Sequence, residues 1–396
     1  MPAETITAGS PNEQPLGRPV YLDYNATTPL APEAVAAMRP FLEEDFGNPS
    51  SGHRYGTVAR AAVEEARTQV AGLLNARPDE IIFTSGGAES NNYAIRGLAL
   101  ARANQGRHII TSRIEHPAVT EVCRQLETEG FAITWLPVDG GGLIRLADLA
   151  EAIRPDTILI TLMHANNEVG TLQPIREVAA IARPRGIALH TDAAQSVGKI
   201  PTDVSELGVD LLTVAGHKLY APKGVGALYV RDGVLLHPLM RGASQERGRR
   251  PGTENVLEIV GLGAACEVAR RHLAENTEHM RARRDELELG LCQSVADVRV
   301  NGHLEQRLPN TLSIGIRGVN ADQLLSAIEP LVAASAGAAC HSGQVRISHV
   351  LEAMNVPEEW ARGAIRLSTG RNTTVEEVRV ATAAIAQAAK QLRSSQ

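Results

Sequence analysis

The chain has 396 residues, of which 43% are hydrophobic and 21% charged, with a formal net charge of −6. Such a length predicts two domains or three, and the apolar share excludes a disordered chain. The acidic balance argues against nucleic acid as a main partner, no run of about 18 apolar residues offers a membrane span, and four scattered cysteines form neither a disulfide framework nor a zinc pattern.

Residues 1–18 are rich in Pro, Gly, Ser, Thr and Glu and read as a flexible tail. They lack the basic and apolar regions of a secretory signal, so a cytoplasmic protein with free thiols is expected. Pro32 opens a helix, and Thr57 to Leu74 is a second helical stretch. Strand-like runs follow at 81–83, 108–111, 133–136, 157–161, 187–190, 210–214 and 226–230, with helix-like segments at 89–104, 117–129, 147–153 and 175–184 between them. Most of these runs are continuously apolar, which suits strands covered on both faces. The alternation predicts a doubly wound α/β domain with a mostly parallel, seven-stranded sheet. Its ligand crevice lies beyond the carboxyl ends of the strands.

The texture changes near residue 255. Val256 to Leu291 reads as one or two long charged helices, followed by β-like stretches at 298–300 and 310–314 and a last helix over 374–393. This predicts a large domain over 19–265 and a smaller α+β domain over 266–396, with residues 19–30 free to pack against the small one.

Three short segments, each after a strand run, carry chemistry. At Phe83-Thr84-Ser85-Gly86-Gly87-Ala88-Glu89-Ser90-Asn91-Asn92 a strand turns into a helix, where unpaired backbone N–H groups attract phosphate. At Thr191-Asp192-Ala193-Ala194-Gln195 an Asp faces the crevice, where it can bond a protonated pyridine nitrogen. At Gly216-His217-Lys218 a lysine beside a glycine can reach an aldehyde as an imine. Alone, the first two read better as helix caps and the third as a solvated lysine, the reading given to Lys199 and Lys223. Together they supply the anion cradle, carboxylate and amine that pyridoxal 5′-phosphate needs. His116, after the strand at 108–111, is placed to stack on such a ring.

On these residues the chain resembles the cysteine desulfurases and selenocysteine lyases of the class V aminotransferase group, which have the type I fold of pyridoxal-phosphate enzymes. The likeness runs from Tyr21 to Leu392. It also includes Leu22-Asp23-Tyr24-Asn25-Ala26-Thr27-Thr28-Pro29, Glu115-His116, Asn166-Asn167-Glu168-Val169-Gly170, Arg250-Pro251-Gly252-Thr253-Glu254-Asn255, Ala338-Ala339-Cys340-His341-Ser342 and Arg366-Leu367-Ser368-Thr369-Gly370-Arg371. The resemblance implies that Lys218 holds the cofactor's aldehyde and Asp192 its ring nitrogen. It implies that His116 stacks on the ring, and that Gln195 and Asn167 lie near the ring oxygen. His217 with Gly87 and Ala88 would hold the phosphate. Thr253 would reach the phosphate of a second copy, implying a homodimer. Arg366, with Asn25 and Asn167, would bind the substrate. Two departures stand out: Ala88 replaces a usual threonine and Ala215 a usual hydroxyl residue, so weaker cofactor retention is expected.

Cys340 sits among small residues with His341 beside it, a setting that suits a travelling thiolate nucleophile. The resemblance makes it the sulfur carrier. Cys123, Cys266 and Cys292 lie in helical patterns and read as buried packing residues. The implied reaction converts L-cysteine to L-alanine and leaves a persulfide on Cys340 for an acceptor protein. Release of selenium from L-selenocysteine is the alternative. An aminotransferase or epimerase of the same fold, which would not need Cys340, and a scaffold that binds sulfur acceptors without turnover are further alternatives.

Overall fold

The structure, a computed structural model, describes residues 17–336 and 347–394. Seven strands form the central sheet: β2 (Ile81–Thr84), β3 (His108–Ser112), β4 (Ala132–Leu136), β5 (Thr157–Met163), β6 (Ala188–Asp192), β7 (Leu211–Ala215) and β8 (Gly226–Val230), after a short β1 (Val20–Tyr21) outside it. Their order is β2-β8-β7-β6-β5-β3-β4. All neighbours pair in parallel except β8, which runs against both β2 and β7. Strands β3, β5, β6, β7 and β8 are buried along their whole length, as their unbroken apolar runs require. Helices cover both faces, and two apolar clusters lie on either side of the sheet, one around Ile110, Ile160 and Leu212, the other around Ile109, Leu159 and Leu211. Consecutive residues of one strand therefore face opposite cores.

A second, three-stranded antiparallel sheet has the order β12 (Ala364–Ser368), β10 (Thr311–Ile316), β9 (Val298–Asn301), and β1 pairs in parallel with β11 (Val332–Ala333). Its core joins Leu312, Ile314 and Leu367 to Ala381 and Ile385 of the last helix, Val375–Ser394. Val20 and Leu22 belong to this core, although they precede the large sheet in the chain. One 39-residue helix, Val256–Ser294, serves both cores. Ile259 to Ala269 pack on the large core and Leu287 and Leu291 on the small one. The helix bends at His272, whose φ of −113° departs from helical geometry.

The helix expected over 89–104 starts at Gly87 and is not uniform: Gly87–Asn92 passes through a π-helical stretch, Tyr93–Gly97, into Leu98–Ala101. Cys123 and Cys266 are buried, but Cys292 is exposed, which corrects the packing role read for it. It occupies the last turn of the long helix, where the face turned from the core meets solvent. Among the described residues, no helix is long and apolar enough to cross a membrane.

Candidate active site

The sheet order reverses direction at β3 and β5: β4 lies on one side of β3 and the later strands extend from the other. A cavity of about 300 Å³ opens there, at the carboxyl ends of β5, β6 and β7. Gly87, Ala88, His116, Asn167, Asp192, Gln195, His217 and Lys218 all line it, together with Asn91 and Met163.

Asp192 ends β6 and is only 6% exposed. Its Oδ2 accepts from Asn91 Nδ2 at 2.7 Å and its Oδ1 from Ala194 N at 3.0 Å. Among the described residues it has no ion-pair partner, so a buried carboxylate faces the cavity without a cation. That is an unfavourable state for an isolated anion and a fitting one for a protonated ring nitrogen.

Lys218 follows β7 across a tight turn. Gly216 is required there, because a Cβ would stand 2.8 Å from the Val225 carbonyl oxygen. The Lys218 Nζ donates to the carbonyl oxygens of Asn25 and, at 3.0 Å, Ala26. Burial and then the Arg366 guanidinium push its pKa down to about 8, against the opposing pull of Asp23 and Asp192. The segment that receives it is braced in turn: Thr28 N and Thr28 Oγ1 both donate to the His217 carbonyl, at 2.9 and 3.0 Å.

His116 caps the helix Pro117–Thr128, and Ala118 N donates to its Nδ1 at 3.1 Å. The neutral ring then carries its proton on Nε2. Its pKa is lowered chiefly by desolvation, which outweighs the pull of Asp192. His217 is pushed down to about 4 by burial and by Lys218, Lys223 and Lys199, so it is a neutral imidazole near pH 7. Gly86 reaches φ +146°, a conformation open to glycine, at the turn from β2 into Gly87.

Arg366, on β12, is buried and lies beside this cavity. It donates to the Asn167 carbonyl at 2.9 Å and pairs with Asp23 at 2.7 Å, while its buried Nε has no partner. Asn25 is fully buried beneath Lys218 and Gln195. Thr253 is exposed on a loop and is not among the residues lining the cavity. Cys340 lies outside the described residues.

Several working residues escaped the sequence reading. Asn91 holds Asp192, and Asp23 pairs with Arg366; both sit inside quoted segments, but nothing local marks their partners. Glu115 is fully buried, accepting from Ser112 Oγ at 2.6 Å and Met163 N at 3.0 Å, and burial pushes its carboxyl up to about 8. It ties the loop before His116 to the end of β5. Lys199 corrects an expectation outright. Read as solvated, as Lys223 is, it is 5% exposed and donates to two side-chain amides.

Known proteins resemble this chain over most of its length. The aminotransferase class-V family matches residues 20–380. The cysteine desulfurase IscS of Dictyoglomus turgidum is 51% identical over 362 residues, covering 91% of this chain and 92% of that protein. The chain belongs to the cysteine desulfurase family. A second such IscS, from Methanosarcina thermophila, is 47% identical over 91% of this chain and 89% of its own length. Among solved structures, a NifS-like protein superposes with a TM-score of 0.88 at 38% identity, covering 93% of this chain and 98% of that one. The structure of SspA in complex with cysteine gives 0.79 at 39% identity, over 89% of this chain and 99% of that one. These relatives share the α/β fold with its mostly parallel sheet.

Proposed function

We propose that the protein is a pyridoxal 5′-phosphate-dependent cysteine desulfurase that converts L-cysteine to L-alanine and passes the sulfur to Cys340. The observation that carries this is the placing, across one cavity, of a buried Asp192 carboxylate with no ion-pair partner among the described residues and a Lys218 amine of lowered basicity. Those residues fit the cofactor: Asp192 for its ring nitrogen, Lys218 for its aldehyde, His116 against its face, and the 86–88 turn with His217 for its phosphate. The cofactor, when bound, supplies an electron sink for the substrate's Cα.

The protein's own groups do the rest. With a pKa near 8, Lys218 is free often enough at neutral pH to bind an aldehyde and then to take the Cα proton. Asp192, anchored by Asn91, keeps a ring nitrogen protonated. Arg366, held beside the cavity by the Asn167 carbonyl and Asp23, would exchange one of these partners for the substrate carboxylate. The Cys340 thiolate attacks the substrate sulfur: the carbon–sulfur bond breaks, a sulfur–sulfur bond forms, and the carbon fragment is protonated to alanine. Thiol plus cysteine gives persulfide plus alanine, so no outside oxidant is consumed.

In a homodimer, Thr253, exposed on its loop, would reach the cofactor phosphate of the second copy, and an acceptor protein would take the sulfur from Cys340. The absence of a spanning helix among the described residues is compatible with the cytoplasmic setting we assign. Side-by-side turnover of L-cysteine and L-selenocysteine by wild type and Cys340→Ala tests the reading. Loss of alanine formation from cysteine in the variant supports it. Unchanged sulfide release refutes the persulfide step, and selenium release that survives in the variant supports selenocysteine lyase activity.

A further inference from the structure

Lysine is almost never fully buried without a charged partner. Lys199 is 5% exposed, and among the described residues no carboxylate lies in ion-pair reach of it. Its Nζ instead donates to Gln195 Oε1 at 2.9 Å and Asn25 Oδ1 at 3.2 Å. Burial, with Lys218 and Arg366 nearby, holds its basicity well below the ordinary value. The amine is a donor to both, so each of the two amides presents its oxygen to it.

These bonds decide which way the Gln195 amide faces and, together with Asn310, which way the Asn25 amide faces. A side-chain amide can flip, and only its hydrogen-bond partners select one orientation. With its oxygen on Lys199, Gln195 turns Nε2 onto the Asn25 carbonyl oxygen at 3.0 Å. With its oxygen on Lys199 and on Asn310 Nδ2, Asn25 turns Nδ2 onto Thr311 Oγ1 at 2.8 Å and the Asn167 carbonyl at 3.2 Å. The Asn25 carbonyl is the oxygen that also receives Lys218 Nζ. A methionine would fill much the same volume as Lys199 and could orient neither amide.

We propose that Lys199 is a positioning residue: its buried amine fixes the amides of Gln195 and Asn25, and through the Asn25 carbonyl it sets the place and proton affinity of Lys218. This rests on reading Lys218 as the lysine that meets the cofactor. The groups facing Lys218 are Arg366, Asp23, Asp192, His116, His217 and Lys199 itself; Lys199→Met removes only the last of these, and Gln195→Met leaves all six in place, so a midpoint shift shared by both variants comes from the lost positioning and not from a lost charge.

The test compares wild type with Lys199→Met. In the apoprotein, the pH dependence of Lys218 acetylation is followed by mass spectrometry. In the cofactor-loaded protein, the pH midpoint of the visible absorbance is followed. Loosening the Asn25 segment lets water reach Lys218, so the apoprotein midpoint is expected to rise by about half a pH unit or more, and the absorbance midpoint to move with it. A folded Lys199→Met protein with both midpoints unchanged overturns the proposal and leaves Lys199 a packing residue. Should that variant not fold, Gln195→Met breaks the same link; an unchanged Lys218 midpoint there overturns the proposal equally. A Lys218→Ala protein that still shows the visible band refutes the role of Lys218 alone, since the apoprotein titration does not depend on it.

Discussion

The two ends of the cavity are built differently. At the ring end, Asp192, Gln195, Asn91, Asn25 and Lys199 are buried and tie one another down by side-chain hydrogen bonds. At the phosphate end stand Gly87, Ala88, Ala215 and His217, with almost no side-chain donors. In the proposed reading, the end that would set electronics and proton affinity is held by side-chain hydrogen bonds, and the end that would grip an anion is left to backbone N–H groups and one neutral imidazole. Substitutions at the ring end should therefore alter chemistry, and those at the phosphate end should alter retention.

The largest effect is expected from Lys218→Ala, which should abolish the visible band of the loaded protein and cut alanine formation by about 10³-fold or more. Asp192→Ala comes next, with a loss of about 10²–10³-fold in kcat and a smaller effect on cofactor affinity. Comparable losses of affinity and rate there would erase the contrast between the two ends. Arg366→Ala should raise KM for L-cysteine about 10- to 100-fold, more than it lowers kcat.

The pH dependence follows from Lys218. Its pKa is lowered to about 8, so the neutral amine grows as pH rises, and cofactor uptake by the apoprotein should climb about tenfold per pH unit below that midpoint and level off above it. Arg366 helps to lower that pKa, so Arg366→Ala should move the midpoint upward. The smallest effect is expected at the phosphate end. Ala88→Thr and Ala215→Ser should each tighten cofactor binding about 2- to 10-fold without moving the Lys218 midpoint, as equilibrium titration of the apoprotein would show.

The sheet was legible because each buried strand is written as a short apolar run, and the three chemical segments because each follows such a run. Asp192 and Lys218 could be picked out by strand-end position together with residue type. Lys199 could not. One of its two amine partners, Asn25, lies far away in the chain, and no local pattern distinguishes Lys199 from exposed Lys223. The pairing of Asp23 with Arg366 is hidden for the same reason: β12 and the N-terminal segment meet only in the folded chain. The exposure of Cys292 reflects where a long helix leaves its second core, which helical periodicity alone does not mark.

The central claim is that the cavity delivers sulfur from L-cysteine to Cys340. A single turnover of cofactor-loaded protein with L-cysteine, followed by mass spectrometry of the Cys340 peptide and measurement of alanine, tests it most directly. One added sulfur on Cys340 with one equivalent of alanine is the predicted result, absent in Lys218→Ala. Alanine formed with no sulfur on Cys340, or sulfur on Cys340 in the Lys218→Ala protein, would contradict it.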